Sequence, residues 1–287
     1  MHTKQKPYLV AVSGGIDSMV LLDMLVQKKT PLIVAHVDHG IRNDSDLDRE
    51  LVEIYARTHE LPFVTTALRL GPGVDEARAR DERYKWLRLQ QAELNAGPIV
   101  TAHHLDDLIE TIIINLMRGT GWRGLCSLRA TGEIIRPLLG MGMRKADVVK
   151  YAIEHELKWR EDSTNDDVRY LRNYIRHGLI QQLPVSFINQ LLELYDAQCR
   201  LRVQIDEELG ELVRPHKPMP RYALIMMGDA CAEEVIQAWL AEPMQRPTLR
   251  RILHFAKTAQ AGAKFSLNET DFIEATVREL IVSRGQD

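Results

Sequence analysis

The 287 residues are 45% hydrophobic and 27% charged, a balance ordinary for a globular chain and too polar for one built of membrane spans. The net charge of −3 gives no overall attraction to nucleic acid or to an acidic lipid surface, so any RNA contact must come from local basic patches. Three scattered cysteines without a CxxC pair argue against a zinc ribbon, an iron–sulfur cluster or a disulfide scaffold and suit a reducing cytoplasm, and the N-terminus lacks the apolar core of a signal peptide.

The first half alternates strand and helix signals. Tyr8 to Val12 is a short apolar run suited to a buried strand, and Ser18 to Lys28 contains helix formers. Leu32 onward is a second strand, LIVAHVDH. Leu47, Leu51, Ile54 and Tyr55 share a helical face behind a cap at Asp44 or Ser45. FVTTAL is a third strand, Asp75 to Asn95 a long charged helix, and GPIVTA a fourth strand. DDLIETIIINLMRG is a helix stopped by Gly119, and EIIRPL a short strand closed by proline. Such alternation predicts a parallel sheet with right-handed crossovers and a ligand site beyond the carboxyl ends of its strands. Three polar clusters, SGGIDS, HVDHGIR and TAHHLDD, fall at those ends.

After about Arg144 the pattern becomes helical. RKADVVKYAIEHELKW predicts a helix, REDSTNDD a polar loop, and YLRNYIRHGLIQQL a second helix broken by Pro184. A long amphipathic helix follows, then RPHKPMPRY as a linker or loop. Two further helices, near Cys231–Ala241 and Thr248–Gln260, precede a C-terminal stretch that periodicity alone leaves between strand and helix. The expected division is residues 1–183 and residues 184–287, the second part smaller and mostly helical.

Gly14 and Gly15 remove side chains where backbone must wrap an anion, and the following helix aims free amides at the same place, with Ser13 and Ser18 adding hydroxyls. Asp17 repels a bare phosphate, so its presence implies a divalent cation, Mg2+, between carboxylate and phosphate. No lysine follows the glycines, which favours pyrophosphate release over γ-phosphoryl transfer. His36 and Arg42 place polar groups beside this loop; a zinc site there lacks partners at ligand spacing. His103, His104, Asp106, Asp107 and Glu110 crowd one strand end and the first helical turns, where carboxylates suit magnesium or a cationic amine needing deprotonation. Arg118, Trp122, Arg123, Arg129 and Arg136 lie in a glycine-rich segment that reads as a mobile basic loop for single-stranded RNA. Arg78, Arg80 and Arg83 read as a charged helix face, whereas Arg169, Arg172 and Arg176 form a stripe able to clamp phosphate.

SGGIDS (Ser13, Gly14, Gly15, Ile16, Asp17, Ser18) resembles the PP-loop of the N-type ATP pyrophosphatases, which share an adenylation step. With HVDHGIR, RYKWL, TAHHLDDLIET, MRGTGWRGL, IIRPLL and EDSTN…YLRNYIR following in order, the chain resembles the tRNA(Ile)-lysidine synthetase family over about Tyr8 to Leu183. The resemblance implies an α/β fold of the adenine nucleotide alpha hydrolase type and a cytoplasmic ligase. ATP would adenylate the wobble cytidine of a tRNA(Ile) with a CAU anticodon, and free lysine would displace AMP to give lysidine. It implies Asp17 with ATP and Mg2+, Asp107, Glu110 and Arg172 with lysine, Arg172 and Arg176 in a motif closing over the site, and His103 or a neighbour in proton transfer. A C-terminal part touching tRNA also follows, and a homodimer is left open. Leu108 stands where many members have glutamine, GMGMRKADV departs from their segment after RPLL, and only one small C-terminal domain is expected where many have two. The alternatives are a cytidine-thiolating relative, disfavoured by the unpaired cysteines, a small-molecule amide synthetase, and a non-catalytic nucleotide- or tRNA-binding relative.

Overall fold

The computed structural model describes residues 6–284 except 39, 41–44, 69, 72–73, 75, 129–130, 161–173 and 243. The chain divides into two compact units. The first comprises residues 1–120 and 127–193, the second residues 121–126 and 194–287.

In the first unit, strands β1 (Tyr8–Ala11), β2 (Leu32–Asp38), β3 (Phe63–Ala67), β4 (Ile99–Val100) and β5 (Ile134–Ile135) form one sheet in the order β3-β2-β1-β4-β5. Every pairing is parallel, with Tyr8 opposite Leu32 and Leu9 opposite Ile99. Helices α1 (Ile16–Gln27), α2 (Ser45–Thr58), α3 (Glu76–Glu93), α4 (Leu105–Met117), the single turn α6 (Pro137–Gly140) and α7 (Lys145–Glu154) follow in chain order. The period of two along a strand divides the core into two layers. Val10, Leu32 and Val34 pack with Leu21, Val52 and Val148 on one face; Leu9, Ile33 and Ala35 pack with Tyr84 and Leu87 on the other. Both faces are covered, so the strands read as continuous apolar runs rather than alternating ones.

Inside the first layer sits one carboxylate. Asp23 of α1 is 4% exposed and accepts the Tyr55 hydroxyl of α2 at 2.6 Å and the Tyr151 hydroxyl of α7 at 2.8 Å. Burial, with Asp23 beside it, pushes the Tyr151 phenol up to about 12. Three helices are therefore tied through one buried, satisfied acid.

The predicted helix over Tyr170 to Leu183 is described only from Tyr174. There the backbone makes a π-helical turn, Ile175–Leu179, and a 3₁₀ turn, Ile180–Gln182, before Pro184. Glycine at 178, with no side chain to fix the spacing, sits in the widened turn.

The second unit holds the one-turn helix α5 (Trp122–Leu125) and most of α8 (Val185–Leu212), then α9 (Arg221–Met226), α10 (Asp229–Leu240) and α11 (Arg246–Thr258). Strands β6 (Met219–Pro220), β7 (Lys264–Ser266), β8 (Phe272–Ala275) and β9 (Glu279–Ser283) form an antiparallel sheet in the order β6-β9-β8-β7. The undecided C-terminal stretch is thus strand. The segment read as a linker contributes β6, and its proline is tolerated because that strand is an edge. Trp239, fully buried, anchors the core with Leu224, Ile236, Ile252 and Ile273, and its indole donates to the Lys217 carbonyl at 2.6 Å.

Candidate active site

β1 leads toward β2 on one side and β4 on the other, so the strand order reverses beside it and a crevice opens beyond the strand ends. A cavity of 490 Å³ occupies that crevice. Its walls come from the end of β1 with Ser13, Asp17 and Ser18, the end of β2 with His36 and Asp38, and the segment after β4 with Thr101, His103 and Asp107. The described parts of the three polar clusters expected at strand ends share one site.

The loop after β1 is built by its own hydroxyls. Ser18 Oγ donates to the Gly15 carbonyl at 2.8 Å and accepts the Ser13 amide at 3.2 Å. Gly15 caps α1, and Ile16 opens the helix and packs against the core. Gly14 has φ of +91°, and a Cβ there would meet Asp48 Cβ at 3.2 Å. Beneath it Asp48, 5% exposed, accepts Arg160 Nε at 2.7 Å, while the Arg160 amide donates to the Gly14 carbonyl at 3.0 Å. The loop is braced by two residues that a local reading of SGGIDS does not contain.

His36 is 2% exposed, and its Nδ1–H donates to the Val12 carbonyl at 2.9 Å. Burial lowers its pKa, so the ring that lines the cavity is neutral, and its Nε2 is buried. His103 lies within 2.9 Å of Thr101 Oγ1 through Nδ1. Burial, with Arg136, Arg80 and Arg83 nearby, drives its pKa to about 3. Such a ring is a poor proton acceptor and a good hydrogen-bonding partner. Arg83 itself lines the cavity, so the helix read as a charged face contributes to the site.

Around α4 the acids take different roles. Asp107 lines the cavity and caps its helix by accepting the His104 amide at 2.9 Å. Asp106 turns away to the start of α7. It accepts Arg144 Nε at 2.7 Å, Arg144 Nη2 at 2.6 Å and the Lys145 amide at 2.6 Å. Burial pushes the Asp106 carboxyl up, but these donors outweigh it and hold it below the usual carboxylate range. Glu110 is buried, 2% exposed, one turn behind Asp107. Lys145 then reaches Asp17, with Nζ 2.7 Å from Oδ1; His104 Nε2 lies 3.6 Å from the same oxygen.

Among the described residues, no group of three or more His, Cys, Asp and Glu side chains is arranged to hold a metal ion. The acidic groups at the cavity are single carboxylates, a donor set that fits magnesium completed by substrate phosphate oxygens.

Ser13, Asp17, Ser18, His36, His103 and Asp107 are thus brought together. Arg42, Arg129 and Arg172 lie outside the described residues, as does the Arg176 side chain. Arg118, capping α4, is exposed. Two residues expected on a mobile basic loop are instead held. Trp122 and Arg123 lie on α5, with the indole donating to Glu234 at 3.0 Å and the guanidinium meeting Glu234 at 2.6 Å and Asp206 at 2.7 Å. Carboxylates from α10 and α8 neutralise Arg123, and its guanidinium covers the Trp122 ring at 4.7 Å. Sequence reasoning missed Arg83, Lys145 and Arg160, each of which reaches the site from a distant segment.

The PP-loop domain family matches residues 1–183. The chain is 40% identical over 187 residues to a tRNA(Ile)-lysidine synthase of Exiguobacterium sibiricum, covering 64% of this chain and 45% of that protein. It is 34% identical over 264 residues to one of Solibacter usitatus, covering 89% of this chain and 58% of that protein. The chain therefore spans about half the length of these curated relatives. In fold it is similar to the U34-tRNA thiolase NcsA of Methanococcus maripaludis, with a TM-score of 0.57 at 18% identity over 69% of this chain and 72% of that one.

Proposed function

The chain belongs to the PP-loop domain family, and from that premise we propose that it ligates free lysine to carbon 2 of the wobble cytidine of a tRNA(Ile) with a CAU anticodon. The cytidine oxygen attacks the α-phosphorus of ATP, the bond to the bridging oxygen breaks, and pyrophosphate leaves. The lysine ε-amine then attacks carbon 2 and AMP departs. The observation that carries this reading is one cavity with the phosphate loop on one wall and Asp107 on another, in a chain similar to named tRNA(Ile)-lysidine synthases.

The backbone of Ser13 to Ser18 and the start of α1 would cradle the phosphates. Asp17 would share a magnesium ion with the phosphate oxygens, which supplies charge neutralisation at the attacked phosphorus. His36 would shape the nucleotide wall of the cavity, its ring held by the Val12 carbonyl. Lysine arrives as an ammonium, inert until it loses a proton, and Asp107, on the wall opposite the phosphate loop, would bind it and take that proton. Glu110, buried one turn from Asp107, is the second acid proposed for the lysine amine, and His103 orients rather than accepts protons because its basicity is so low. Arg118, Trp122, Arg123 and Arg129 remain candidates for RNA contact. Arg42, Arg172 and Arg176 are proposed to close on phosphate or lysine.

The test is transfer of radiolabelled lysine to tRNA. Label on a CAU-anticodon tRNA(Ile), dependent on ATP and on the protein, is the expected result. AMP release that depends on ammonia or a sulfur donor instead of lysine contradicts the proposal.

A further inference from the structure

The phosphate loop has no lysine of its own, yet the fold brings one to it. Lys145 lies 128 residues beyond Asp17, and its Nζ sits 2.7 Å from Oδ1 of Asp17, which lines the cavity. Its root is fixed twice. Asp106 holds the Lys145 amide at 2.6 Å and clamps the preceding Arg144, and further along Tyr151 ties the same helix to Asp23 of α1. Its head is not fixed. The Lys145 side chain is 45% exposed and Asp17 34% exposed, so their pairing is a wet ion pair, weak and readily exchanged.

A rigid root with an exchangeable ammonium, resting on the carboxylate that faces the phosphate site, suits a partner swap. We propose that Lys145 is a phosphate-contacting residue. It neutralises Asp17 while the site holds no nucleotide, and it transfers its hydrogen bonds to the terminal phosphates of ATP when the nucleotide enters. Lys145 opens α7, whose positive dipole end lies at the same point. The site would thus recover, through folding, the lysine that the loop itself omits. The inference rests on the nucleotide half of the proposed function, not on the identity of the acceptor.

The experiment is calorimetric binding of ATP, inorganic pyrophosphate and AMP without divalent metal, to wild type, Lys145→Gln, Lys145→Arg, Asp17→Asn and the double variant Asp17→Asn/Lys145→Gln. Loss of one charge-assisted contact predicts that Lys145→Gln weakens ATP and pyrophosphate about tenfold and AMP less than about twofold. Lys145→Arg keeps ATP within about threefold. In the Asp17→Asn background, Lys145→Gln still weakens ATP about tenfold, because the contact is to phosphate. Recovery of wild-type affinity in the double variant overturns the proposal, since Lys145 would then only mask Asp17. Unchanged ATP binding, or equal losses for ATP and AMP, also overturns it. If Lys145→Gln does not fold, loss of ATP binding by folded Lys145→Arg overturns it and retention supports it. A wild type that binds no ATP removes this inference together with the nucleotide reading; one that binds ATP but transfers no lysine removes only the acceptor reading.

Discussion

The two units differ in whether their charged residues also face open volume. In the second, charged groups are absorbed by the fold. Arg221 donates to three backbone carbonyls, those of Ala256, Thr276 and Ala259, at 2.7–2.9 Å. Glu233, buried on α10, collects Arg246 and Arg250, and Arg123 meets two carboxylates. In the first unit, Asp17, His36, His103 and Asp107 line a cavity, each held on one side by the protein and turned on another toward open volume. Arginine as a structural staple and arginine or lysine as a ligand are therefore told apart by what stands opposite them, which is a property of the fold.

The sharpest way to break this contrast is to truncate one residue from each side of it. Asp17→Ala should lower AMP formation by about 10²–10³-fold, the range found when one preorganised electrostatic group is lost. The same change should leave stability within about 1 kcal/mol, because its partner Lys145 is half exposed. Activity above about a tenth of wild type would remove Asp17 from the reaction. Arg221→Ala should do the reverse. It strands three carbonyls, so the second unit should lose about 3 kcal/mol in urea unfolding while ATP affinity stays unchanged. A large loss of ATP affinity in Arg221→Ala would erase the distinction between the units.

Smaller effects sharpen it. Gly14→Ala forces a Cβ into positive φ and against Asp48, a strain of about 1–2 kcal/mol. Because the strain falls on the phosphate loop, ATP affinity should drop about tenfold by calorimetry; unchanged affinity would show that the loop has room to relax. At neutral pH His103 gives the least effect, and it acts only as pH falls. Its pKa is lowered from 6.5 to about 3 by burial and neighbouring arginines, so the unfolded chain binds more protons between those values. Stability linked to His103 is present above pH 6.5 and is lost as pH falls toward 3. His103→Ala should flatten the dependence of the urea midpoint on pH in that window, and parallel profiles would contradict the burial account.

What the sequence disclosed follows the same division. The strand, Gly-Gly turn and helix at SGGIDS, and the acids at the head of α4, are legible because neighbours in the chain build them. The parallel sheet was legible because its strands are buried on both faces and read as apolar runs. Lys145 opposite Asp17, Arg160 under Gly14 and Glu234 over Trp122 left no local sign, because those pairings close loops of more than a hundred residues. For the same reason the glycine-rich basic segment looked free in sequence, although distant carboxylates hold Arg123 and Trp122.

The central claim is that the cavity of the first unit cleaves ATP at its α-phosphorus and places AMP on tRNA. The most direct measurement uses ATP labelled at the α-phosphate, with a CAU-anticodon tRNA(Ile) and no lysine. Label should accumulate on the tRNA with release of unlabelled pyrophosphate, and addition of lysine should discharge it as AMP. Label that stays in ADP, or never joins the tRNA, would contradict the account.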